Sequence, residues 1–598
     1  MANLQPSSYL SLLDDFINLT QVPFSDRGSR LLVYQSSGKS QLYIKLAERL
    51  FGLEPGLEAY LSRPPFIDNL CLIDAQGNEI AFKAHTSPQA ISLETSQGDF
   101  QVTFQDLRTL AISIPANTVA GLRFHVRPSY WKTNGSGGAM KSIRNLGYGT
   151  NGEIVCNEIL PEQGGYTVKL LVESRPDCTI SLHISAGIVV SHETRPFSES
   201  YARSLQRWQA WFERLPAVKP EYQRTYAFAW WIMANNLISP QGNVAYEAMT
   251  PSKTTYIGLW LWDSAMHALA YRYLDPELAR NQIRAMLKYQ QPDGMIPDAI
   301  YDEGVVTEID HPFPAEVTKP PILAWAALKL HEMAPDLEFL KEIYVPLVRW
   351  NAWWFSMNDD DVDGLAQYNH PYSSGLDDNP MWDFGMPVES PDLNTYLCVQ
   401  MGSLAMMAEA LSMHQEAGMW RRRAAAIVKR MITDFWDEEA GVFRTTLHDE
   451  PLPVITPFNL YPLWTGQLPD AIRQRLLDHL TNPAMFWGQY MLPSVARNDP
   501  RYQPDTMWRG PVWANVNYFF IEALAQIGEH ELARELRART LALIMRHPSI
   551  YEYYNAETGQ PPDTAANIFG WTAAVFIDLA IQASQDEEDN GQHNQEEN

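Results

Sequence analysis

The chain changes its periodicity near residue 200, and that break limits what it can fold into. Before it, apolar and polar residues alternate at 91–95, 100–104, 110–114, 122–126 and 179–184. A period of two marks half-buried strands. Turn-forming clusters at 76–78, 96–99 and 163–165 separate several of them. Many short strands spaced in this way predict an antiparallel β-sandwich over 1–197. After the break the period becomes helical. Ala279, Ile283, Met286, Leu287 and Gln290 share one face, as do Leu323, Ala326, Ala327 and Leu330. Longer stripes run through Leu397, Met401, Leu404, Ala408 and Leu411, and through Trp513, Phe520, Ile521, Leu524 and Ile527. Short loops pair many of these helices. Without a fixed 30–45-residue repeat, helical hairpins stacked around an axis fit better than a solenoid. The expectation is a multidomain chain of β and α parts: the sandwich, a linker helix at 198–224, a helical toroid at 225–583 and a disordered acidic tail at 584–598.

Composition supports this division and removes some functions. At 598 residues the chain exceeds one ordinary core, and 45% apolar residues are enough to bury a large interior. No apolar run reaches bilayer length, so no membrane partner is expected. Residues 1–12 lack a basic stretch, which argues against a secretory signal and for a cytoplasmic setting. Cys71, Cys156, Cys178 and Cys398 have neither disulfide-framework nor zinc-site spacing. A net charge of −26 argues against nucleic acid. The 19 Trp and 27 Tyr have two readings, a large helical core or platforms for the apolar faces of sugars.

Chemistry concentrates in the loops between helices. Tyr256, Trp260, Trp262 and Asp263 gather at one helix start, where Asp263 either caps the helix or holds a sugar hydroxyl. Gln290 opens a Pro- and Gly-containing turn that ends another helix. Asp359, Asp361 and Asp363 resemble the opening of a calcium loop. The twelfth position would be His370, where an EF-hand needs a bidentate Glu, so that motif fails. A looser calcium site and a solvated acidic turn are both left open; otherwise no metal or cofactor is expected. Asp377 lies in a turn-rich loop near Trp382 and Asp383, and apolar surroundings with adjacent negative charge favour a protonated carboxyl. Trp508, Arg509 and Trp513 bracket a Pro-led helix start. Glu552 sits in an aromatic loop with Tyr551, Tyr553 and Tyr554.

Taken in order, five segments resemble glycoside hydrolase family 63 and its trehalase-like relatives, including the bacterial mannosylglycerate and glucosylglycerate hydrolase branch. They are Trp260-Leu-Trp-Asp-Ser264, Ser374-Gly-Leu-Asp-Asp-Asn-Pro380, Pro391-Asp-Leu-Asn394, Trp508-Arg-Gly-Pro-Val-Trp513 and Tyr551-Glu-Tyr-Tyr-Asn555. The resemblance spans roughly 225–583 and implies an (α/α)6 barrel and inversion at the anomeric carbon. It further implies Asp377 as general acid and Glu552 as general base. Trp262 and Asp263 would hold the cleaved sugar, with Tyr256, Trp508, Arg509 and Trp513 as further wall. Tyr372 and Ser373 depart from the family's usual residues before the Ser-Gly, which touches the leaving-group subsite. The substrate implied is a small carbohydrate, an α-glucoside first and an α-mannoside second. Three rivals stay open: a sugar epimerase or isomerase, which uses paired histidines, a phosphorylase on the same toroid, and a non-catalytic carbohydrate-binding protein. His267 and His311 are isolated and read as structural. Oligomeric state leaves no signature.

Overall fold

A computed structural model describes residues 8–50, 57–187 and 192–596. Backbone packing divides the chain into two compact units. One comprises Met1–Ala217, Gln223–Ser239 and Lys253–Thr255; the other comprises Val218–Tyr222, Pro240–Ser252 and Tyr256–Asn598.

The first unit holds two antiparallel sheets. The six-stranded sheet runs in the order Leu31–Gln35, Leu42–Leu46, Ile67–Asp74, Val119–Val126, Gly165–Glu173, Glu153–Glu162. The eight-stranded sheet begins with a meander of Phe82–Ser87, Ala90–Thr95, Phe100–Asp106 and Thr109–Ser113. It continues through Thr179–Ser185, Asn145–Thr150, Gly137–Lys141 and Tyr130–Asn134. All five alternating segments of the sequence lie in these strands. Their inward residues, such as Leu93, Val102, Leu122 and Leu182, are buried. Phe124 of one sheet meets Tyr148 of the other edge-on at 6.0 Å. Two helices, Phe197–Phe212 and Gln223–Asn235, group with this unit. Trp211 donates through Nε1 to the Trp230 carbonyl at 3.1 Å. At the start of the chain only Ser8–Ser11 is helical.

The second unit is built from helical hairpins: α1 (Leu261–Tyr271) with α2 (Pro276–Leu287), α3 (Leu323–Met333) with α4 (Leu337–Met357), and α5 (Pro391–Ala410) with α6 (His414–Asp434). A 3-10 helix, Pro457–Thr465, pairs with α7 (Asp470–Leu480), and α8 (Ala514–Gln526) pairs with α9 (His530–Met545). The last helix is α10 (Gly570–Glu596). The first member of each hairpin faces inward. Each touches the next, α1 to α3 to α5 to the 3-10 helix to α8 to α10, and α10 returns to α1, so the ring closes on six members. This is the (α/α)6 barrel. Burial follows from position: every residue of α1 is buried, whereas α2 buries only one stripe. Aromatic rings fill the axis, with Trp464 stacked on Phe519 at 5.0 Å and Trp325 edge-on to Trp464 at 5.6 Å. Much of the aromatic excess is therefore core.

One expectation meets a difference. Helix α10 runs to Glu596 through most of 584–598, the stretch read as a disordered tail. Its Gln- and Glu-rich sequence contains no proline and extends a buried helical stem, which favours propagation over fresh nucleation. Among the described residues no helix is long and apolar enough to cross a membrane. The four cysteines are free.

Candidate active site

The loops that precede the inner helices converge on one cavity of about 410 Å³, open mouth included. Its acidic lining is Asp263, Asp377 and Glu552, and its aromatic wall includes Tyr256, Trp260, Trp262, Trp508, Trp513 and Trp571. Short pairings place these groups. Leu259–Trp260 pairs with Ala299–Tyr301, which fixes the entry to α1. Val512–Trp513 pairs with Tyr553–Tyr554, which sets Glu552 beside Trp513. Trp508 and Trp513 stack face to face at 3.6 Å with 3° between planes. Trp262 stands perpendicular to Trp571 at 5.1 Å.

The turn carrying Asp377 is stitched from both sides. Trp382 Nε1 donates to the Leu376 carbonyl at 2.6 Å, and the Asp378 carboxylate accepts the Trp508 N–H at 2.8 Å. Asn379 Nδ2 donates to the Trp508 carbonyl at 3.1 Å. Within this frame one Asp377 carboxyl oxygen is buried and makes no hydrogen bond. Burial pushes the Asp377 carboxyl up to about 6, against the Lys319 cation, which lowers it; Asp298 and Asp378 add to the rise. Glu552 is 3% exposed, and its Oε2 accepts the Ala566 N–H at 3.2 Å. Burial raises it to about 8, opposed by that hydrogen bond and one from Tyr256, while Asp377 raises it further. Asp263 occupies the third position of α1 without capping it and turns its buried carboxyl to the cavity. Burial holds it well above the usual carboxylate range, with Lys319 pulling it down.

Four residues singled out in the sequence lie outside this lining. Gln290 Nε2 donates to the carbonyls of Gly294 at 2.9 Å and Pro346 at 2.8 Å, which closes the turn after α2. Trp382 supports the Asp377 turn from behind. Arg509 is engaged by Asp383 through two contacts at 3.0 and 2.5 Å. Tyr551 packs edge-on against Tyr554 at 6.3 Å. The cavity also brings in Gly375, already part of the Ser374–Pro380 segment, and residues that sequence reasoning missed: Pro251, Lys319, Met507, Phe569 and Trp571. Trp571 had a signal, since it follows a glycine at the start of an inner helix; Lys319 gave none.

Asp359, Asp361 and Asp363 present carboxylate oxygens within 4.8 Å of one another. Among the described residues they are the one group that could share a cation. Turn N–H groups and Arg430 already engage them: Asp359 accepts from Asp363 at 3.1 Å, and Arg430 meets Asp363 at 2.7 Å. Fully buried His267 and His370 lie off the cavity lining.

A closed ring of six inner helices with buried carboxyls and aromatic walls at one rim defines an (α/α)6-barrel enzyme. Comparison with known proteins narrows the class. Residues 256–572 match the family model described as the mannosylglycerate hydrolase MGH1-like glycoside hydrolase domain. The mannosylglycerate hydrolase of Thermus thermophilus is 28% identical over 407 residues, covering 55% of this chain and 95% of that protein. The glucosylglycerate hydrolase of Mycolicibacterium hassiacum is 25% identical over 56% of this chain and 95% of its own. The crystal structure of a GH63 mannosylglycerate hydrolase from Thermus thermophilus in complex with glucose superposes with a TM-score of 0.52. That pair is 25% identical, covering 59% of this chain and 99% of the other. The chain belongs to this family and is a glycoside hydrolase of the family 63 type.

Proposed function

We propose that the protein is an inverting hydrolase of a small α-hexoside, with 225–583 as its catalytic domain, Asp377 as general acid and Glu552 as general base. The observation that carries the reading is the pair itself: two carboxyls from different loops, Glu552 buried and Asp377 half-buried with one oxygen sealed from solvent, face one aromatic cavity. Inversion requires an acid on the glycosidic oxygen and a base that activates water on the opposite face, with carboxyls about 6.5–9.5 Å apart. Between the values of about 6 and about 8 the pair carries one proton. By those values the proton rests mainly on Glu552, and the productive form, with it on Asp377, is the minor arrangement of the same singly protonated pair, so kcat/KM should still be bell-shaped with limbs near those values. Asp263 and the tryptophans would bind the cleaved sugar. The sugar is proposed as α-glucose, with the manno series of the Thermus relative as the competing arm of the test. The aglycone is proposed as glycerate, glucose or a short oligosaccharide. No cofactor enters these steps.

The test is turnover of glucosylglycerate, mannosylglycerate, trehalose, kojibiose, nigerose, maltose and isomaltose, followed by proton NMR. Release of the β-anomer is expected. Asp377→Asn should cut turnover of these glycosides by about 10²–10⁴-fold. It should act far more weakly on α-glucosyl fluoride, whose leaving group needs no proton. Glu552→Gln should impair both. Near-normal rates in both folded variants, or release of the α-anomer, would overturn the assignment. Turnover that depends on phosphate would favour a phosphorylase.

A further inference from the structure

Lys319 precedes α3 in Thr318-Lys319-Pro320-Pro321 and is 5% exposed while lining the cavity. Its Nζ lies 2.5 Å from Asp298 Oδ1 and donates to the Tyr372 carbonyl at 2.5 Å. Both partners are anchored. The Asp298 carbonyl accepts the N–H of Leu261, the first residue of α1, at 3.1 Å, and the Asp298 N–H donates to Val306 at 3.0 Å. Thr318 binds the same two loops, donating through Oγ1 to Ile296 at 2.6 Å and through its N–H to Ser373 Oγ at 3.3 Å. From Tyr372 the chain passes through a 3-10 turn, Pro371–Ser374, and left-handed Gly375 to reach Asp377. Three loops thus meet at one ammonium, whose contact Tyr372 lies five residues before the proposed proton donor.

The charges around that ammonium are unequal. Lys319 interacts with Asp298, Asp377 and Asp263. Asp377 faces Lys319, Asp298, Asp378 and Glu552, with the hydroxyls of Tyr256 and Tyr372 nearby. A buried lysine without a partner sheds its proton. Asp298 foremost, with Asp377 and Asp263, keeps Lys319 charged, and the Lys319–Asp298 pair then holds a cation against a carboxyl that burial drives the other way. An ion pair serving packing alone has no need to line the cavity or to grip the arm of the donor.

We infer that the Lys319–Asp298 pair is a positioning device for the proton donor, pinning the Asp377 arm through the Tyr372 carbonyl and setting the proton affinity of Asp377 with a fixed charge. This rests on reading Asp377 as the general acid. The two members should act in opposite directions. Lys319→Met removes the opposing cation, so Asp377 should titrate higher. Asp298→Asn removes an anion and leaves the cation, still faced by Asp377 and Asp263, so Asp377 should titrate lower. Lys319→Arg keeps the charge and should titrate near the parent.

Infrared difference titration of the full chain against Asp377→Asn isolates the Asp377 carboxyl band and needs no substrate. Shifts of about half a pH unit or more, upward in Lys319→Met and downward in Asp298→Asn, are expected. Both variants should also lose about tenfold or more in kcat on the α-glycoside the parent turns over. Unchanged midpoints, or shifts of the same sign, would overturn the inference. Where Lys319→Met does not fold, Asp298→Asn decides alone: a midpoint at or above the parent's overturns it. If Asp377→Asn instead keeps full turnover, the reading of Asp377 as acid fails, and the titration still reports whether the pair governs that carboxyl.

Discussion

Gly375 shows how narrowly a single residue can be specified. Its φ is +73°, and a Cβ there would lie 2.4 Å from the Trp262 ring. Gly375→Ala therefore meets both left-handed backbone strain and an indole held by Trp508 and Trp571. Either Trp262 or the Asp377 turn must move. A displacement near 1 Å is expected to lower kcat/KM by about 10²-fold, with a smaller loss of stability. Kinetics and a melting curve on the purified variant check this; parent-like kcat/KM would show that the turn tolerates the shift. At this scale the sequence displays some groups and hides others. Tryptophans and carboxylates crowded at a helix start or in an aromatic loop, such as Trp262, Asp263 and Glu552, stand out because such a grouping needs a reason. Lys319 does not, because lysine in a loop normally faces solvent. Arg509 looked free for substrate. Only the fold shows Asp383 gripping it.

Elements were legible where one face differs from the other. Outer helices such as α2 carry a stripe, and the alternating strands of the sandwich show their period directly. Elements buried all round give no such signal. Helix Gln223–Asn235 buries ten of thirteen residues, so its sequence does not say which unit it joins. The fourth inner position of the ring is the 3-10 helix Pro457–Thr465, where Pro457 and Pro462 erase any 3.6-residue stripe. Closure of the ring depends on contacts between distant elements, which periodicity cannot report. One buried cluster does much of this closing. Asp578 of α10 accepts from Arg272, at the end of α1, at 2.7 Å and from Tyr518 of α8 at 2.5 Å. Asp578 is fully buried, and Arg272 is 8% exposed. Asp578→Asn leaves the guanidinium without its counter-charge. It should destabilise the protein by about 3–5 kcal/mol, read as a lower Tm or urea midpoint. The double variant Arg272→Met, Asp578→Asn should recover part of that loss. A single variant as stable as the parent would show that this pair does not hold the ring closed.

Across the whole molecule, two sets of buried groups give stability a definite pH course. The site and its neighbours bury carboxyls whose values are raised: Asp377 and Asp392 to about 6, Glu389 to about 7 and Glu552 to about 8. Burial is the leading cause in each. Their folded forms bind protons more tightly than the unfolded chain, so each lowers stability as pH rises from its unfolded value through its folded one. Buried histidines act in the opposite sense. Burial lowers His192 and His370 to about 4 and His267 to about 3. Unfolding lets them take up protons below about 6.5, so they add stability as pH rises toward that value. Below about 6.5 the two slopes oppose each other. Above it the histidines are neutral in both states, and the slope left is that of the carboxyls raised furthest, Glu389, Glu552 and Asp263. The melting temperature should vary little between about pH 5 and 6.5 and fall between about 7 and 9. In Glu552→Gln that fall should be shallower, because no carboxyl remains at 552 to give up a proton. Calorimetry on both proteins across this range measures it. An equally steep alkaline decline in the variant would show that Glu552 does not carry its proton in the folded protein. The same protein would then lose the upper limb expected in its kcat/KM profile, because that limb and the alkaline loss of stability report one ionisation.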